Sequence, residues 1–133
     1  MIAIDTNVLV RYLVNDEPEQ SAAARDLLSA ASRQEPVFLC REVVVETVWV
    51  LKRAYQFSRA QIAEVLMELV AVDGLIFEAQ DNVAEAAAAY RRGGAGFSDL
   101  MILAAARCND AQPLFTFDRQ LAALDGAALP DHR

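Results

Sequence analysis

Short apolar runs alternate along the chain with longer segments in which apolar residues return every three or four positions. The runs at residues 1–4, 37–40, 75–77 and 114–117 predict short strands, the first of them buried. Between them, Thr6-Asn7 open a helix whose apolar face is Val8, Leu9, Tyr12 and Leu13. A second helix begins around Glu17-Pro18 and runs through Leu28, with proline near its first turn. Residues 41–55 are apolar on nearly every side, which predicts a helix packed in the interior with Glu46 buried within it. Ser58 caps a helix through Val70, and Asp73-Gly74 turn the chain into the third strand. Asp81 or Asn82 caps an alanine-rich helix to Arg92, which Gly93-Gly94-Ala95-Gly96 stops; Ser98 starts the helix that carries Asp99. Asp118 leads into a short helix with Leu121 and Leu124, and the tail that follows is polar or weakly structured.

Short apolar strands separated by helices predict a mostly parallel central sheet covered on both faces, hence a three-layer α/β/α fold. At 133 residues the chain is expected to form one domain spanning residues 1–133. A chain of this length buries roughly two-thirds of its unfolded surface. No apolar stretch approaches the ~20 residues of a membrane span, and the start of the chain lacks the pattern of a secretory signal. The expected compartment is the cytoplasm.

In sheets of this class ligands gather at the carboxyl ends of the strands. Asp5 and Asp118 stand at two such ends, Asp99 opens a helix after the glycines, and Glu46 must reach the same edge from its helix. All four lie in or beside apolar segments, where a carboxylate costs several kcal/mol unless it is paired, hydrogen-bonded or bound to a cation. Asp5 and Asp118 also read as helix N-caps, and Asp99 as a complement to the positive end of its helix. Glu46 has Glu42, Val43, Trp49 and Val50 three and four residues away and no cation among them. Glu42, one turn earlier, competes with it for the same role.

Composition narrows the chemistry. The single histidine, His132, is next to last, which leaves most serine, cysteine and zinc–histidine mechanisms without their base or ligand. Cys40 and Cys108 are far apart beside apolar residues and read as reduced, buried thiols. Carboxylates without histidine suit a hard divalent ion, and four suffice for one ion or two. The net charge of −7 argues against a generic nucleic-acid binder, although it includes acids that such an ion would partly neutralise. Eleven of the twelve basic residues are arginine, which fits bidentate contacts to phosphate. Arg11, Arg91, Arg92 and Arg119 are the candidates for such contacts.

Ile4-Asp5-Thr6-Asn7-Val8-Leu9, Glu46-Thr47-Val48-Trp49-Val50-Leu51, Phe97-Ser98-Asp99-Leu100-Met101-Ile102 and Thr116-Phe117-Asp118 together resemble the PIN-domain ribonucleases, and within them the VapC-type toxins of bacterial toxin–antitoxin pairs. The resemblance covers nearly the whole chain. It implies a Mg²⁺- or Mn²⁺-dependent endoribonuclease in which Asp5, Glu46, Asp99 and Asp118 bind metal and position the attacking water. Thr6, Asn7 and Thr116 then look like polar supports of the site. It further implies a homodimer, a VapB-type antitoxin and a structured RNA substrate such as a tRNA or rRNA loop. Other readings are a non-catalytic PIN-like protein- or RNA-binding module, a housekeeping nuclease without an antitoxin and a DNA-directed nuclease. A phosphatase is disfavoured because Asp5-Thr6-Asn7 lacks a second aspartate.

Overall fold

Two short parallel ladders organise the chain in the computed structural model, which describes residues 1–131. His132 lies outside the described residues. The first ladder joins β1 (Ile2–Ala3), β2 (Val37–Leu39) and β3 (Leu75–Phe77) in that spatial order, with Ile2 opposite Val37 and Leu39 opposite Phe77. The second pairs β4 (Leu114–Phe115) with β5 (Ala127–Ala128). The helices are α1 (Thr6–Leu13), α2 (Pro18–Ser29), α3 (Arg41–Arg53), α4 (Arg59–Val70), α5 (Gln80–Arg92), α6 (Phe97–Cys108) and α7 (Arg119–Ala122). Parallel strands need crossovers, and the helices between them supply these and cover the sheet in the three-layer α/β/α arrangement.

Several expected boundaries move for local reasons. The tail is not unstructured: Ala127–Ala128 forms the strand that pairs with β4. The cap of α5 is Ala79 in the left-handed conformation, so Asp81 falls inside the first turn, where its charge still meets the positive helix end. Gly96, not Ser98, caps α6, and Asp99 is the third helical residue. The first strand is not buried: Ile2 is 45% exposed, because β1 is an edge strand with one neighbour among the described residues. Cys108 is exposed and Cys40 half-buried, neither in a disulfide, so the expected burial of both thiols does not hold.

The largest revision concerns α3. Val43, Val44, Thr47, Val48 and Leu51 are buried and form one stripe, while Glu42, Glu46, Trp49 and Arg53 form the opposite, exposed one. The helix is therefore amphipathic and Glu46 is exposed, contrary to the interior helix expected from its composition. Trp49 misleads the pattern: it is 61% exposed, with the Arg53 guanidinium 5.7 Å from its ring centroid. The core proper joins Leu9, Leu39, Leu51, Ile62, Leu66, Val83 and Leu103 beneath the sheet and helices.

Gly74 shows how tightly the β3 entry is built. Its φ is +90°, and a Cβ there would stand 2.6 Å from the Ser32 backbone nitrogen and 2.9 Å from the Ala31 carbonyl carbon. Gly93 has φ +99° with nothing within 4 Å of such a Cβ. Alanine at Gly93 is expected to cost the backbone strain alone, about 1–2 kcal/mol. Gly74→Ala adds a backbone clash and costs roughly 2–4 kcal/mol. Chemical denaturation of the two variants checks the order; equal losses would refute the contact argument.

Candidate metal and nucleic-acid site

Asp5 occupies the step from β1 into α1, where its extended backbone makes it the N-cap: Oδ1 accepts a hydrogen bond from the Thr6 amide at 2.7 Å. Asp118 repeats the device between β4 and α7, accepting from the Leu121 amide at 2.9 Å, while its own amide donates to Thr116 Oγ1 at 3.0 Å. The capping reading is thus realised for both acids, and in each the cap engages only Oδ1. Asp99 projects from the first turn of α6, its Oδ2 3.7 Å from the position a Cβ on Gly96 would take. α3, which carries Glu46, is fixed at both sides: Glu78 Oε1 accepts from the Arg41 amide at 2.9 Å, and Arg41 Nη2 donates to the Met101 carbonyl of α6 at 2.8 Å.

These elements bring the acids together as two pairs, Asp5 with Glu46 and Asp99 with Asp118. Asp5 and Glu46 line one cleft of about 390 Å³ with Thr6, Asn7, Arg11 and Tyr55. Glu46 also borders two hollows that contain Ser98, the neighbour of Asp99. Burial raises the Asp99 pKa from its ordinary value, and the negative charge of Asp118 raises it further. Asp5, Glu46 and Asp118 are exposed and Asp99 is half-buried, so the premise of four buried carboxylates gives way to one partly desolvated acid beside three solvated ones. Among the described residues no three His, Cys, Asp or Glu side chains converge closely enough to hold a metal ion by themselves.

The donor set nevertheless fits a hard divalent cation. It is all oxygen, it includes like charges that repel one another, and it is open to water and substrate, as Mg²⁺-type sites usually are. Thr6 Oγ1, buried beside Asp5, has no hydrogen-bond partner among the described residues, so a polar group entering the cleft is its available partner.

The arginines divide. Arg11 stands in the cleft, but its Nε donates to Gln20 Oε1 at 2.8 Å, its Nη1 to the Tyr55 hydroxyl at 3.4 Å, and it pairs with Asp16 at 3.5 Å. Arg119 is exposed next to Asp118. Arg91 and Arg92 are exposed at the end of α5, and Arg92 borders a hollow that includes none of the four carboxylates. A further hollow of about 510 Å³ between α1 and α2 reaches Asn7 and Arg11 and is otherwise mostly apolar. Tyr55 escapes sequence reasoning: it follows α3 as one more apolar residue, and only folding brings it beside Asp16 and Arg11.

The Tyr55 hydroxyl donates to Asp16 Oδ2 at 2.6 Å, and this bond is the main cause of a phenol pKa above 10.0, with burial adding to it and the Arg11 contact opposing it. A folded-state pKa above the unfolded value contributes stability that is present below about pH 10 and lost as pH rises through the folded pKa. Asp16→Asn is expected to lower the Tyr55 midpoint in an ultraviolet phenolate titration, with Tyr55→Phe identifying the signal. An unmoved midpoint would contradict the assignment. In metal-free buffer at pH 7, Asp99→Asn removes a partly desolvated and repelled charge. Its Tm is expected to rise on the order of 1–2 °C, screening by water keeping the gain small; a fall in calorimetric Tm would exclude this view.

Comparison with known proteins places the geometry in a family. A family model described as PIN domain matches residues 2–127. A VapC ribonuclease of Aquifex aeolicus (strain VF5) is 23% identical over 124 residues, covering 93% of this chain and 92% of that protein. With a family model matched over nearly its whole length, on a parallel α/β/α fold bearing acids at its strand-to-helix steps, the chain belongs to the PIN-domain family.

Proposed function

We propose that this PIN-domain protein is a Mg²⁺- or Mn²⁺-dependent endoribonuclease and the toxin of a toxin–antitoxin pair, hydrolysing phosphodiester bonds in structured RNA such as tRNA or rRNA loops. The observation that carries the reading is the two pairs of oxygen donors in a PIN domain matched over residues 2–127: Asp5 and Glu46 in one cleft, and Asp118 within electrostatic reach of Asp99. The similarity to a protein named a VapC ribonuclease supports the choice of RNA.

In this reading Asp5, Glu46, Asp99 and Asp118 hold the cation, and Thr6, Asn7 and Thr116 orient them. When bound, such an ion supplies charge stabilisation at the phosphate and a nucleophilic water at neutral pH. The carboxylates position that water and exclude other orientations of it. Arg11 and Arg119, and more distantly Arg91 and Arg92, contact the phosphates on either side of the cut. Arg11 must first exchange its protein partners for a phosphate. A net charge of −7 leaves few such contacts, which suits a single folded RNA loop recognised by shape and splayed bases.

The proposed partners are the RNA, a VapB-type antitoxin and a second copy of the chain in a cytoplasmic homodimer. Exposed Trp49 on α3 and Ile102 on α6, two helices in contact, offer apolar surface for such partners. No helix among the described residues is long and apolar enough to cross a membrane. The alternative, a non-catalytic PIN-like binding module, is favoured by one observation: among the described residues no three metal-ligating side chains converge.

End-labelled total RNA incubated with the purified chain separates the two. Discrete cleavage is expected with Mg²⁺ or Mn²⁺ and none with EDTA, and Asp5→Asn and Asp99→Asn are expected to lose roughly a hundredfold or more of the rate while remaining folded. Full activity in both variants would sink the carboxylate mechanism. Expression of the wild-type chain alone is expected to arrest growth and that of Asp5→Asn to permit it.

A further inference from the structure

Arg59 is the first residue of α4, a poor place for a cation, since the helix end beside it is itself positive. Its guanidinium serves other elements. Nη1 donates to the Tyr90 carbonyl at 2.9 Å and to the Ala95 carbonyl at 3.1 Å, and Nη2 to the Gly94 carbonyl at 2.8 Å. The same group lies 4.4 Å from the Tyr90 ring centroid, a cation–π contact. One half-buried arginine therefore binds the negative end of α5 and two successive carbonyls of the glycine segment.

Within that segment Ala95 is buried in the core, whereas the two glycines before it are not held by packing. Gly93 and Gly94 have φ of +99° and +87° and open space around them. Beyond them the chain is pinned by Phe97, buried and packed edge-on against Tyr90 at 6.0 Å between centroids. Gly96 then caps α6 and places Asp99 in its first turn. Tyr90 is thus gripped from one side by Arg59 and from the other by Phe97, and the backbone between these two anchors leads directly to Asp99.

We infer that Arg59 is a positioning residue: by clamping the carbonyls of Tyr90, Gly94 and Ala95 it sets the start of α6 and so the placement of Asp99 toward the other three acids. The inference rests on the metal-dependent reading of the site. The guanidinium serves the three carbonyls from two separate nitrogens of one rigid plane, a spacing that the single nitrogen of a lysine does not reproduce. Arg59 itself touches neither metal nor RNA.

The test compares Arg59→Ala and Arg59→Lys with Leu69→Ala, a core truncation in the same helix that controls for lost stability. All are measured well below their Tm. Hydrogen exchange of the 93–99 segment is expected to speed up in Arg59→Ala and not in Leu69→Ala. Mn²⁺ binding, followed by electron paramagnetic resonance, is expected to weaken about tenfold in Arg59→Ala, the lower end of what outer-shell changes cost, with partial rescue in Arg59→Lys. The Mn²⁺ concentration for half-maximal RNA cleavage should rise in step, with the KM for RNA unchanged. Wild-type Mn²⁺ affinity in Arg59→Ala would reduce the clamp to a structural staple and overturn the inference. A change confined to the KM for RNA would overturn it too, by making Arg59 a substrate contact. A wild-type chain that binds no Mn²⁺ would refute the metal reading itself, and the inference with it.

Discussion

In this fold one to three residues separate the end of each of β1, β2, β3 and β4 from a helix start, and the free N–H groups of that helix constrain what can stand there. The parallel connection imposes this, because the chain must leave the sheet at the strand's carboxyl end and cross back through a helix. At two of the steps the requirement is met by Asp5 and Asp118, whose side chains accept amide hydrogen bonds. At β2 the cap of α3 lacks a side-chain bond, and Glu78 from beyond β3 reaches the Arg41 amide instead. Asp5 and Asp118 are therefore held at this edge by helix capping, a need of the fold itself.

A cap consumes one carboxylate oxygen and fixes the side chain, which is a good foundation for a ligand whose other oxygen faces a cleft. Glu46 reaches the cleft differently, from the exposed stripe of an amphipathic helix. Asp99 is held in a partly dry position near Asp118, where ionisation is disfavoured. The four acids are thus two solvated caps, a solvated helix acid and one partly desolvated acid.

The half-buried cations of the chain are engaged in holding the scaffold. The half-buried arginines Arg11, Arg41, Arg59 and Arg107 all bond to other parts of the protein: Arg11 to Gln20 and Tyr55, Arg41 to the carbonyl of Met101, Arg59 to three carbonyls, and Arg107 to the carbonyl of Asp125. Arginine rather than lysine suits this work, since one planar group satisfies several acceptors where helix ends meet. The consequence at the site is electrostatic. Carboxylates predominate there, and Arg11, the cation in the cleft, is already shared among Gln20, Tyr55 and Asp16.

The sequence by itself determined the alternation of the first four sheet strands with helices, the parallel α/β/α class and the capping positions of Asp5 and Asp118, because these depend on local periodicity, capping chemistry and where an apolar run ends. Ser58 as a cap, Pro18 at a helix start and the glycine stop after Arg92 were legible for the same reason. Tertiary structure alone decided which side of α3 faces the core. Val43, Val45, Trp49 and Val50 look alike in a string, yet only packing leaves Trp49 and Glu46 outside. It also decided that Ala127–Ala128 pairs with β4, that Tyr55 meets Asp16 across 39 positions and that Arg59 serves a loop 35 positions away. Such contacts join residues whose partners are set by how the elements pack, and no local pattern encodes that distance.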